Sequence, residues 1–95
     1  MQGHRTMVKQ ITPPPFEPGI YQHFRGWKYE AIGVACHESE LTWLVVYKPL
    51  YPHEGMPDIW VRPYDDFMAQ VEVDGEMVPR FRRVDHLPGH QPIQQ

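Results

Sequence analysis

The sequence predicts a mostly β fold: a small antiparallel SH3-like barrel, or a strongly bent open sheet, with one short helical turn. Short runs of β-branched and aromatic residues alternate with turn signals, of which Asp74-Gly75 is the clearest. No stretch shows a helical period beyond one or two turns. Gly33, inside a predicted strand, indicates the bulge or bend that lets a small sheet curl.

The composition limits the size and class of the protein. Its 95 residues, 41% hydrophobic and 13% aromatic, suffice for one compact core. A formal charge of −3 disfavours nonspecific binding to nucleic acid or to an anionic membrane. The only cysteine, Cys36, excludes an internal disulfide, and its apolar surroundings predict a buried thiol. Since no apolar run has signal-peptide or membrane-span length, we expect a soluble cytoplasmic protein without membrane contact.

Three segments differ in composition. Residues 1–18 are rich in proline and predict a flexible, extended tail that Phe16 pins to the domain. Residues 19–84 hold the strand signals and predict a single small β domain. Residues 85–95 contain two prolines, one glycine and three glutamines with little to bury, which predicts a disordered tail.

The first predicted hairpin turns near Arg25-Gly26. A two-residue loop would place Gln22 opposite Tyr29, whereas a three-residue loop with glycine in the left-handed region is the alternative.

Residues 43–63 predict two further strands around a proline-containing loop. Alternation along these strands separates two faces. The face predicted to be core carries Leu44, Val46, Ile59 and Val61. The opposite face carries Trp43, Val45, Tyr47, Trp60 and Arg62.

After this stretch, residues 63–70 predict a short helix, with proline suited to its first position and Asp65 and Asp66 to its positive end. Asp74-Gly75 then predicts a type I′ turn that pairs Val71 with Val78. Pro79 marks an edge or a bulge that would bring Phe81 onto the valine face. Three arginines are predicted to face solvent as a charged edge that blocks aggregation: Arg80, Arg82 and Arg83.

An ordered set of motifs resembles the bacterial domain-of-unknown-function family numbered 1653, over roughly residues 19–83. The resemblance implies a small, usually stand-alone protein without assigned activity. The loop between Tyr51 and Trp60 is longer and richer in proline than the usual turn of that family. The motifs are Gly19-Ile-Tyr-Gln-His-Phe-Arg-Gly, Tyr29, Cys36-His-Glu-Ser-Glu, Val45-Val-Tyr, Leu50-Tyr, Trp60-Val-Arg-Pro, Phe67, Asp74-Gly and Arg80-Phe.

The face that carries Trp60 and Arg62 combines stacking surfaces, a phenolic donor and a fixed cation. This combination is typical of a site for an anionic or planar ligand or for an interface. In the alternative interpretation, Trp60 belongs to the core and Arg62 pairs with a nearby carboxylate, namely Asp65, Asp66 or Glu38. The candidate ligand-binding residues are Tyr21, His23, His37, Tyr47, Trp60 and Arg62.

Metal and nucleophilic chemistry are disfavoured by spacing. Cys36 and His37 are strand neighbours whose side chains diverge. Asp65 and Asp66 suit a helix start better than an acid and base pair. We therefore expect no cofactor, no metal and no catalytic residue. The histidines and carboxylates considered as ligands, which lack metal-site spacing, are His23, His37, Glu38, His53 and Glu54.

The best functional hypothesis is a noncatalytic binding module for a ligand, a peptide or a nucleic-acid segment. An alternative is a small enzyme for a phosphorylated or carboxylated metabolite, in which Arg62 grips the anion and His23 or His37 is the acid or base. A third is a structural or accessory protein whose tails dock a partner.

Overall fold

The computed structural model describes residues 11–84, so the predicted disorder of 85–95 lies outside the described residues. The division into tails and one domain stays a prediction. Within the described residues, no helix has the length and apolar character needed to cross a bilayer. The elements are β1 (Gly19–His23), β2 (Lys28–Cys36), β3 (Trp43–Pro49), β4 (Trp60–Pro63), α1 (Tyr64–Phe67), β5 (Gln70–Val73), β6 (Glu76–Pro79) and β7 (Phe81–Val84).

Five strands form an antiparallel sheet in the order β4-β3-β2-β1-β7, and β5 pairs with β6 in a separate hairpin. The mostly β, antiparallel class with a short helix after β4 is confirmed. Because β4 and β7 lie at opposite edges of the sheet, it is open rather than closed into an SH3-like barrel. Of the two predicted forms, the open sheet is the one observed.

The loop of the first hairpin has three residues, 24–26, which confirms the three-residue alternative. Gly26 takes a φ of +110°, a conformation that favours glycine. Tyr21 therefore lies opposite Tyr29, and the pairing of Gln22 with Tyr29 predicted for a two-residue loop is wrong by one residue. This shift places both tyrosines on the same face, where they are 5% and 6% exposed.

A bulge in β2 lies where the glycine predicted it, because the register with β3 shifts between Ala31 and Gly33. Beyond the bulge, Val34 packs against the core. Cys36 is exposed, so the predicted buried thiol is wrong. It is the last residue of β2 and lies beyond the buried part of the strand.

The inner and outer faces of β3 and β4 are the reverse of the prediction. Val45 is fully buried, whereas Ile59 and Val61 are 57% and 56% exposed, so their assignment to the core is wrong. Tyr47 packs against Phe67 of α1 and Phe81 of β7, with ring centroids 5.4 and 5.9 Å apart. These two elements cover the face that carries Tyr47 and Trp60, which is therefore the inner one.

The core is largely aromatic. Phe67 of α1 is fully buried and stacks on Phe81 of β7, with ring centroids 4.0 Å apart. Tyr21 and Tyr47 contact Phe67 edge-on at 5.3 and 5.4 Å. The predicted helical turn is thus confirmed, and its single buried side chain fixes it to the sheet. The buried cluster comprises Tyr21, Tyr29, Ala31, Val45, Tyr47, Phe67 and Phe81.

The last hairpin forms as predicted, but the chain then changes sheet. Asp74 and Gly75 have φ values of +52° and +87°, and Val71 lies opposite Val78. After Pro79 the chain enters β7, which pairs with β1. Phe81 consequently joins the aromatic core, and its predicted place on the valine face is wrong.

We expect Val45→Ala to lower the free energy of unfolding by about 2 kcal/mol, because two buried methyl groups are lost. Val61→Ala removes the same groups from the exposed face and should cost less than about 1 kcal/mol. Urea denaturation of both variants measures the difference. Equal losses would show that the outer face of β4 is covered as well.

Candidate ligand-binding site

Arg62 lies on the inner face of β4 and is 29% exposed. Its Nε–H donates to Asp66 Oδ2 at 2.8 Å, and its guanidinium also donates to the Tyr47 hydroxyl. The guanidinium carbon lies 5.5 Å from the centre of the Phe81 ring. Burial lowers the pKa of Arg62, but the hydrogen bonds to Asp66 and Tyr47 outweigh this and leave it raised. The side chain is a fixed cation.

A second arginine shares the same carboxylate. Arg80 Nη2 lies 3.7 Å from Asp66 Oδ1, and Arg80 Nε–H donates to the Asp66 carbonyl at 3.1 Å. The Arg80 side chain is 24% exposed, so its predicted position on the solvent side is wrong. One carboxylate between two guanidinium groups leaves an excess of positive charge beside Arg62.

His23, at the end of β1, lies near these arginines and adds a neutral hydrogen-bond donor to the site. Its ring lies 5.0 Å from that of Phe81, and its Nδ1 accepts the Arg25 backbone N–H at 3.1 Å. Burial lowers its pKa, and Arg62, Arg25 and Arg80 lower it further. Because Nδ1 accepts, the neutral ring carries its proton on Nε2 and is a donor there.

Aromatic rings border these polar groups. Tyr29 lies 5.3 Å from Tyr47 and 6.1 Å from Trp60, measured between ring centroids. Its hydroxyl shares a hydrogen bond of 3.2 Å with that of Tyr51, and burial together with this bond raises the pKa of Tyr29. Trp60 is held by donation from its Nε1–H to the Pro57 carbonyl at 2.7 Å. We call the following group the Arg62 site: His23, Tyr29, Tyr47, Trp60, Arg62, Asp66, Arg80 and Phe81.

The other two predicted site residues lie elsewhere. Tyr21 is 5% exposed, stacks on Phe16 at 5.5 Å and donates its hydroxyl to the Glu17 carbonyl. His37 is exposed in the connection from β2 to β3, where its Nδ1 accepts the Glu40 backbone N–H at 3.2 Å. The structure thus brings together His23, Tyr47, Trp60 and Arg62. Whether they bind a ligand stays a prediction.

Sequence reasoning missed part of this site. Asp66 was not among the predicted site residues, but the sequence indicated it as a possible partner of Arg62. Asp66 follows Arg62 by four residues and forms an ion pair with it. Arg80 and Phe81 gave no usable signal, because their positions depend on the change of sheet after Pro79. No metal cluster was expected, and within residues 11–84 no three His, Cys, Asp or Glu side chains converge. The absence of metal stays a prediction.

The loop between β3 and β4 is fastened by His53 and carries Tyr51 to the site. His53 Nδ1 lies 2.8 Å from the Tyr51 carbonyl, and Nε2 lies 2.8 Å from Asp58 Oδ1. A carbonyl and a carboxylate only accept hydrogen bonds, so both ring nitrogens carry protons in this arrangement. The bond to the Tyr51 carbonyl, and then the bond to Asp58, raise the pKa of His53.

These features define a small, open, antiparallel β domain with a positively charged aromatic site on its inner face. A family model described as a protein of unknown function, DUF1653, matches residues 19–83, and the chain belongs to this family. A crystal structure of a DUF1653 protein from Bordetella bronchiseptica is similar, with 33% identity and a TM-score of 0.70. The similarity covers 76% of this chain and 91% of that one. The comparison with curated proteins finds no match.

We expect the pKa of His53 to lie above its ordinary value of about 6.5. Protonated His53 then stabilises the closed loop fully below about pH 6.5, and this contribution is lost as the pH rises through the raised pKa. Asp58→Asn removes the charged partner and should lower the pKa of His53. NMR titration of the imidazole protons measures both values, and a wild-type pKa at or below 6.5 would contradict the charged arrangement.

Proposed function

We propose that the protein is a noncatalytic binding module whose Arg62 site binds a small anionic ligand with a planar group. The observation that carries this proposal is the donor character of the site. Arg62 and Arg80 are cations with several N–H donors, the neutral His23 ring offers its Nε2–H, and Asp66 is the carboxylate placed between the two arginines. Such a set favours a carboxylate or phosphate ester.

The guanidinium of Arg62 supports this assignment. It has five N–H donors, and the acceptors that the described residues give it are Asp66 and Tyr47. The donors that remain can form a paired contact with an anion. Partial burial beside aromatic rings strengthens that contact, because the local dielectric is lower than in water.

The planar part of the ligand is inferred from the ring faces. Trp60 lies two residues before Arg62 on the inner face of β4, and its partly exposed ring is backed by the buried Tyr29 at 6.1 Å. Ring faces bind flat groups by stacking and exclude water around the anion.

Binding is favoured over the enzymatic alternative because the groups that a catalyst would use are already engaged. The Nδ1 of His23 accepts from the Arg25 amide, and Asp66 is held by two arginines. A general base needs a free lone pair near the substrate. A cytoplasmic location is also proposed, supported by the exposed thiol of Cys36, because free thiols persist in reducing compartments.

We expect aromatic carboxylates or nucleoside monophosphates to raise the melting temperature, while the matching neutral compounds have no effect. Arg62→Met should weaken binding roughly 10- to 100-fold, since charged hydrogen bonds are lost. The matched control is Arg82→Met, which removes an exposed arginine that donates to Gln22 outside the site. Isothermal titration calorimetry measures each affinity.

The Arg62→Met variant also tests the alternative interpretation, in which Arg62 pairs with a carboxylate and only stabilises the fold. Arg62 and Asp66 are 29% and 44% exposed, and Arg80 still pairs with Asp66 when Arg62 is replaced. We therefore expect Arg62→Met to lower the free energy of unfolding by only about 1 kcal/mol. A loss of about 3 to 5 kcal/mol, as for a broken buried pair, would identify Arg62 as a structural brace and contradict the proposal. Unchanged affinity in Arg62→Met would also contradict it.

A further inference from the structure

Residues 13–18 lie along the inner side of the domain without joining a strand. Within the described part of the chain, backbone-to-backbone hydrogen bonds do not involve residues 11–18. Side chains instead donate to three carbonyls of this segment. Tyr64 donates to Pro15 at 2.7 Å, Tyr21 donates to Glu17 at 2.6 Å, and Arg83 donates to Pro18 at 3.1 and 3.2 Å.

Phe16 anchors the segment between its prolines. Its ring stacks on Tyr21, with centroids 5.5 Å apart and planes 14° apart, and meets Phe67 edge-on at 5.8 Å. The contact that the sequence predicted for Phe16 is thus present. The groove under the segment is built from β1, α1 and β7, which supply one hydrogen-bond donor each.

This arrangement is how proteins recognise extended proline-rich peptides. Such peptides have no internal hydrogen bonds, so their carbonyls are free to accept, and their stiff backbone loses little entropy on binding. Aromatic grooves with donor side chains bind them through those carbonyls. The carbonyls of this segment accept hydrogen bonds in the same way from Tyr64, Tyr21 and Arg83.

The groove has room beyond the segment that now fills it. An open pocket of about 770 Å³ continues past Phe16 between Met68 and Arg82. A second pocket, of about 410 Å³, lies beyond Pro14 between Trp43 and Tyr64. A bound peptide therefore has space beyond the position of Pro14 and beside that of Phe16.

We propose that this groove binds a proline-rich segment of a partner protein, with an aromatic residue flanked by prolines, and that residues 13–18 are the intramolecular occupant that such a partner displaces. Exchange is feasible because side-chain contacts hold the segment, which joins no sheet ladder among the residues that the structure describes. Tethering gives the chain's own segment an effective concentration in the millimolar range. A partner peptide competes with this tethered segment, so it binds only when a higher affinity or a higher concentration outweighs the effective concentration of the segment. The segment therefore sets an affinity threshold for partners. The groove is distinct from the Arg62 site.

The test uses the full-length Phe16→Ala chain, whose own segment has lost its anchor, and a synthetic peptide with the sequence of residues 11–18. In ¹⁵N NMR spectra, the peptide should shift the signals of Tyr21, Tyr64 and Phe67 saturably toward their wild-type positions. The wild-type chain should bind the peptide at least tenfold more weakly, because its own segment competes. A peptide with alanine in place of phenylalanine should not bind.

Tyr64→Phe in the Phe16→Ala chain removes one donor and should weaken peptide binding roughly three- to tenfold. Absence of saturable shifts in a folded Phe16→Ala chain would overturn the proposal, as would equal binding of the alanine peptide. If Phe16→Ala does not fold, Phe16→Leu keeps an apolar side chain while removing the ring stacking, and the same outcomes apply.

Discussion

The stack of Phe67 on Phe81 is the contact on which the rest of the fold depends. Phe67 belongs to α1, which follows the edge strand β4, and Phe81 begins β7, the strand at the opposite edge. Within residues 11–84, hydrogen bonds do not close this sheet, so the two rings, 4.0 Å apart, join its edges across the inner face. The same stack places Phe81 under Arg62 and beside His23, and so positions the candidate site.

Both proposed binding surfaces are supported from below by the buried Phe67 ring. Phe67 contacts Tyr47, which bonds to Arg62, and it also contacts Phe16 of the proline-rich segment. In this open sheet, the aromatic core and both proposed binding surfaces lie on the same side. Tyrosine suits a position between the core and a binding surface, because its ring fills the core while its hydroxyl reaches a polar partner.

The charges near the core follow from the same constraint. Asp66 of α1 satisfies Arg62 from β4 and Arg80 from the link between the two sheets. Because all three side chains keep some contact with water, these pairs contribute modestly to stability. Two arginines share one carboxylate, which leaves positive charge at the candidate site. The proposed ligand preference rests on this charge and not on the strength of the ion pairs.

The sequence by itself determined the last turn, the bulge, the short helix and most strands. Asp74-Gly75 and Gly33 act through local backbone conformation, which neighbouring residues decide. Only the tertiary structure decided which face of β3 and β4 turns inward. Alternation defines two faces equally well, and the choice between them belongs to α1 and to β7, which is remote in sequence. A one-residue difference in the first loop likewise moved Tyr21 into the core, because side chains change faces with each residue of register.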